Sequence, residues 1–216
     1  MAINEHKNLN DSNLHVPKGF AGASANTLCS KNGSSALEWT AKSTIKTSVI
    51  NIRGFGESGT LSTNYFFPAD MADTKSPFEF DEDYGATSIS ASDTITVSKV
   101  IRGTCYTAPQ DCTLNQIYGW MSGSATETVT LALVKFTPTA NNSSAFTVGA
   151  ANNVMTVLQE ISVSTYGSNN KLGVIDATSF SVSTLSKGDM VMPFLKSAGG
   201  SSNIYFNVSV EFKYTS

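Results

Sequence analysis

The residue types able to do chemistry near neutral pH are sparse in this chain, and they are scattered. Its only histidines, His6 and His15, lie near the N-terminus. A serine or cysteine nucleophile served by histidine is therefore not expected in the body of the chain. Cys29, Cys105 and Cys112 show no zinc-ligand spacing with those histidines. Cys105 and Cys112 flank YTAPQD and could face each other across a turn. An odd number of cysteines without a signal peptide reads better as reduced, partly buried thiols. Glu79, Asp81, Glu82 and Asp83 cluster in FEFDEDYG. Alternating carboxylates of this kind can hold calcium, although a solvated acidic loop is the commoner outcome. Glycoside hydrolysis would need paired carboxylates and, beside them, a groove of aromatic platforms. Trp39, Trp120 and the tyrosines are the candidates, and Trp120 sits in a strand-like run where core packing is expected. Lys187-Gly188-Asp189 has the look of an adhesion tripeptide. In LSKGDMVMPF, however, it reads as a glycine turn entering a strand, with Met190, Met192 and Phe194 pointing inward. Asn142-Ser143-Ser144 and Asn207-Val208-Ser209 match the glycosylation pattern but carry no claim without an export signal. We expect no enzyme, no cofactor and no metal site.

The elements that must hold these residues follow from composition. The chain has 216 residues, of which 40% are hydrophobic and 10% aromatic, enough for a sizeable core. Only 14% are charged, against roughly 25% in ordinary soluble domains. Serine, threonine, asparagine and glycine fill the difference, which suits strands and turns better than helices. A net charge of −3 with singly scattered Lys and Arg argues against nucleic-acid binding. No apolar run is long enough to span a membrane as a helix. MAINEHKNLND lacks the apolar centre of a signal peptide, so synthesis in a cytoplasm and release by another route, such as lysis, is expected.

Three regions are expected. Residues 1–45 form an arm of short apolar islands, with a small hairpin turning at Asn32-Gly33 between NTLCSK and ALEW. Residues 46–92 form a connecting β segment that includes TSVINIRGFG, TLSTNYFFP and the acidic loop. Residues 93–216 form a β-sandwich. Strands are expected at DTITVSKVI, GTCYTAP, TLNQIYGWMS, ETVTLALVKFTP, NVMTVLQEISVS, TSFSVSTL, DMVMPFLKS and NIYFNVSVEFKY, separated by turn residues. In the last of these, Ile204, Phe206, Val208, Val210, Phe212 and Tyr214 share one face. Tyr205, Asn207, Ser209, Glu211 and Lys213 share the other, so it is expected to be a core strand of a large sheet. The whole is an all-β antiparallel double sheet preceded by an extended arm, and a jelly roll is the expected form.

The stretch LHVPKGFAGASANTLCSKNGSSALEW resembles the N-terminal segment of small virion structural proteins of tailed bacteriophages. The matching positions are His15, Pro17, Gly19 and Phe20, then Leu37, Glu38 and Trp39. YTAPQDCTLNQIYGWMS, TVTLALVKFTP and LSKGDMVMPFLKS resemble the β-rich C-terminal domains of such proteins. The resemblance covers most of the chain and is weakest around residues 55–90. It implies a capsid-attached fibre or decoration protein, or a tail-fibre component, present in the virion as a homo-oligomer, a trimer being expected. The arm residues His15, Pro17, Gly19, Phe20, Leu37 and Trp39 would grip capsid or tail proteins, since an apolar-dotted segment without its own core gains order on a partner. A receptor- or glycan-binding role at the distal end is the alternative, with Tyr84, Tyr166 and Asn169 as loop contacts.

Overall fold

A computed structural model describes residues 27–31, 37–41, 46–57, 59–68, 79–91, 95, 97–103, 105–137, 139–142, 145–147, 155–167, 172–199 and 203–214. The chain divides into two units, Met1–Thr44 and Ile45–Ser216. In the first, β1 (Thr27–Lys31) pairs antiparallel with β2 (Leu37–Ala41), Lys31 opposite Leu37 and Cys29 opposite Trp39. This is the hairpin expected there. His15, Pro17, Gly19 and Phe20 lie outside the described residues.

The second unit is the all-β antiparallel sandwich expected from the sequence. Its strands are β3 (Lys46–Gly56), β4 (Phe66–Pro68), β5 (Phe80–Asp83), β6 (Tyr106–Thr107), β7 (Cys112–Gly123), β8 (Thr128–Phe136), β9 (Thr139–Asn142) and β10 (Ala145–Thr147). They continue with β11 (Met155–Ser164), β12 (Gly173–Ala177), β13 (Thr184–Leu185), β14 (Met190–Ser197) and β15 (Ile204–Tyr214). One sheet has the order β12-β7-β15-β3, with β13 beside β7. The other has the order β11-β8-β14-β4-β5, with β6 beside β14, while β9 and β10 form a separate hairpin. The links from β3 to β4, β7 to β8, β11 to β12 and β14 to β15 all pass from one sheet to the other.

Burial patterns explain why each strand takes its place. β15 alternates without exception and lies centrally, paired with β3 along its full length and with β7 on the other side. Its inward residues Val208, Val210 and Phe212 meet Leu131, Leu133, Val191 and Leu195 of the facing sheet in the larger core. β8 and β14 are instead apolar on both faces, as strands covered on both sides must be. Their second faces, through Ala132, Val134, Phe136, Met190, Met192 and Phe194, build a smaller core with Tyr65, Phe67, Ile95 and Val100. Pro193 sits in this central strand without breaking it. On its far side β14 pairs with β6 at Met190 and Val191 and with β4 at Leu195. The missing N–H therefore falls in the gap between those two pairings.

The structure corrects several expectations. The run expected as a strand over 93–101 carries α1 (Val97–Gly103) instead. The smaller core needs a lid, and buried Ile95 and Val100 supply it. The acidic loop is in part a strand, β5, because Phe80 is drawn into the core edge-on to Phe206, with ring centres 5.3 Å apart. The segment 46–92 is not a connection, since it supplies β3, β4 and β5 to the two sheets. TSFSVSTL yields only β13, and β12 forms just before it. No helix among the described residues is long and apolar enough to cross a membrane.

Candidate functional site: an aromatic face on the outer sheet

The sheet of β12, β7, β15 and β3 buries one face in the sandwich and turns the other to solvent. Two cross-strand rows at one end of that outer face follow from the register. Leu172, Ser122, Tyr205 and Phe55 form one, and Val174, Trp120, Asn207 and Arg53 form the next. A third row, Asp176, Tyr118, Ser209 and Asn51, is polar except for its tyrosine. Tyr118, Trp120, Leu172, Val174 and Tyr205 are each between 41% and 54% exposed.

Ring contacts hold this surface in shape. Phe55 and Tyr205 stack across β3 and β15 with centres 6.2 Å apart and planes 25° apart. Tyr118 and Trp120, two residues apart on β7, meet at 76° with centres 5.7 Å apart. Ser209 Oγ donates to Asn51 Oδ1 at 2.8 Å, and Asn115 Nδ2 to Glu211 Oε1 at 3.0 Å. Between the first two rows lies a shallow depression of about 200 Å³, its open side lined by Trp120, Ser122, Leu172, Tyr205 and Asn207. Such a surface can hold a ligand by ring contact and a few hydrogen bonds. Trp120, expected in the core, is thus a correction. A bulge where β7 meets Glu211 and Phe212 of β15 shifts the alternation, and every later residue of β7 changes face.

Other chemistry-bearing groups among the described residues are occupied structurally. Asp189 is 2% exposed. Its carboxylate accepts the Ser186 N–H at 2.8 Å and lies 3.5 Å from Lys135 Nζ. Gly188 turns the chain there with φ at 92°, so the Lys187-Gly188-Asp189 run does not display its carboxylate. Met190, Met192 and Phe194 point inward, as that turn-and-strand reading requires. Glu82 pairs with Lys99 at 2.5 Å, and Asp83 Oδ1 accepts the Gly85 N–H at 2.7 Å. Among the described residues no group of three or more His, Cys, Asp or Glu is placed to hold a metal. Of the loop residues expected as contacts, Tyr84 packs its ring edge-on against Phe194 at 5.4 Å, Tyr166 is exposed, and Asn169 lies outside the described residues.

Cys105 and Cys112 are both free thiols. Cys105 Sγ donates to the Val191 carbonyl at 3.1 Å, and burial pushes this thiol up to about 12. Cys112 is also raised by burial. It lies 3.8 Å from the Tyr106 hydroxyl, which in turn is 2.6 Å from that of Tyr214. Neutral thiols are poor nucleophiles. The shift also has a sign for stability. Folding favours the neutral Cys105, so its contribution is complete below the ordinary thiol value of 9.0 and is lost as pH rises toward about 12. The urea midpoint is therefore expected to be lower at pH 10.5 than at pH 8, and a midpoint that rises across that interval would contradict the assignment.

No protein-family model matches the chain, and a comparison with curated proteins finds no match. The class defined by fold and surface is an antiparallel β-sandwich with one solvent-facing aromatic sheet. A separate N-terminal unit precedes it.

Proposed function

We propose that this chain is a structural component of a tailed-bacteriophage virion, a capsid-attached fibre or decoration protein. The N-terminal arm anchors it and the sandwich points outward. The observation that carries this reading is the division of the chain. Among the described residues, the first unit holds a two-stranded hairpin, and the second has two packed sheets and a core of its own. A two-stranded pair of that size has little stability alone, so it gains most by docking on a partner. In the sandwich, the alternation of links between sheets and the orders β12-β7-β15-β3 and β11-β8-β14-β4 fit a jelly-roll wrap. The protein is non-catalytic in this reading, is made in the host cytoplasm, and leaves by lysis as part of the virion. A tail-fibre or receptor- and glycan-binding role is the second reading, favoured by the exposed aromatic face.

The expected assembly is a homotrimer. Sedimentation equilibrium of the full chain should return three times the 22.9 kDa chain mass. A monomer at every concentration would count against the fibre reading.

A further inference from the structure

We propose that the Trp120–Tyr205 end of the outer sheet is a binding site for a neutral glycan. The inference rests on reading the sandwich as the outward, recognising part of the molecule. Two observations select this occupant.

The first is the mixture of groups. A pyranose ring has C–H faces and a rim of hydroxyls. Aromatic rings present an electron-rich face to the C–H bonds. Here Trp120 and Tyr205 lie on neighbouring strands, with Asn207 and Ser122 completing the same two rows. The Asn207 amide offers both donors and an acceptor, and the Ser122 hydroxyl does both jobs. That is the complement a hydroxyl rim requires. Adjacent strands are about 4.8 Å apart, so a ligand lying across them meets a ring and a polar side chain together.

The second observation is charge. Arg53 and Lys213 on this face are offset by Asp176 and Glu211. A polyanion, whether nucleic acid or sulfated polymer, would need a cationic cluster. A neutral ligand does not.

The test uses the full-length chain on an array of neutral hexose, deoxyhexose and N-acetylhexosamine oligosaccharides, with uronic-acid and sulfated glycans alongside. Calorimetric titration of the strongest ligand then compares the native chain with Trp120→Ala, Asn207→Ala and Val49→Ala. Val49 is exposed on the same face but lies outside the depression. We expect binding within the neutral class, and a loss of about three- to tenfold in Trp120→Ala, by the ring-contact magnitude. Asn207→Ala should lose about threefold or more, and Val49→Ala should be unchanged. Because Trp120 is half-exposed, its variant should stay folded and melt within a few degrees of the native protein, about the shift of a single ring contact. The proposal is overturned by no neutral binding up to millimolar ligand, by preference for the acidic glycans, or by equal binding in Trp120→Ala. It is also overturned if Trp120→Ala lowers the solution mass, which would assign the face to a second copy. Capture by phage particles depends on the arm, so lost glycan binding with retained capture defeats this inference alone.

Discussion

Phe194→Ala is expected to lower the stability of the sandwich by about 3–5 kcal/mol. Phe194 is fully buried in the smaller core. Its ring centre lies 5.4 Å from that of Tyr84, 5.6 Å from Phe67, 6.3 Å from Tyr65 and 6.5 Å from Phe136. Two of these contacts, with Tyr65 and Tyr84, are edge-on, the arrangement that ring quadrupoles favour. Truncation removes the one ring common to all four pairs. The space cannot close cheaply, because β14 is held by β8 on one side and by β4 and β6 on the other. A shift of the urea midpoint, read by circular dichroism, measures the loss. Phe194→Leu keeps most of the volume and should lose about 1.5 kcal/mol or less. If both variants unfold at the native midpoint, the core beneath α1 is not packed as described.

Gly119→Val should be as damaging, for the opposite reason. A Cβ at position 119 would lie 2.2 Å from the Asn207 carbonyl oxygen and 2.6 Å from Val208 Cα. Those are backbone atoms of β15, so no side-chain rotation relieves the clash. β7 and β15 would have to separate at the centre of the sheet. The expected cost is about 3 kcal/mol or more, seen as a lower midpoint or as loss of soluble protein. The same displacement would move Asn207 and Trp120 out of register. A folded Gly119→Ala variant should therefore bind the glycan more weakly, even though position 119 itself faces inward. A Gly119→Val protein with native stability would mean that these strands are further apart than described.

The parts of the fold legible in the sequence are those where one physical signal dominates. β15 shows unbroken alternation, and β8 and β14 show continuous apolar runs, so their existence and their inward faces could be read directly. β12 leaves little signal in the sequence because GVIDA is short and opens on Gly173 after a run of turn residues. The α1 segment reads as a strand because Ile95, Val97 and the polar residues between them alternate. What favours a helix at 97–103 is tertiary, the burial of Val100 in the smaller core that also holds Met192 and Phe194. The aromatic face was hidden by a single bulge. Counting by twos from Leu114 puts Trp120 on the core side. The extra residue at Asn115 and Gln116 puts Ile117, Gly119 and Met121 inward and leaves Tyr118 and Trp120 in solvent. A bulge is a local insertion with no compositional mark, so no pattern of residue types announced it.

The measurement that tests the central claim most directly is co-sedimentation of the full chain with phage particles assembled without it. The native chain is compared with a full-length variant carrying His15→Ala, Phe20→Ala and Trp39→Ala. The account predicts saturable capture of the native chain and at least a tenfold weaker capture of the variant, with the sandwich of both melting at one temperature. Failure of the native chain to pellet with the particles would contradict the virion assignment, and equal capture of the two proteins would contradict an anchoring arm.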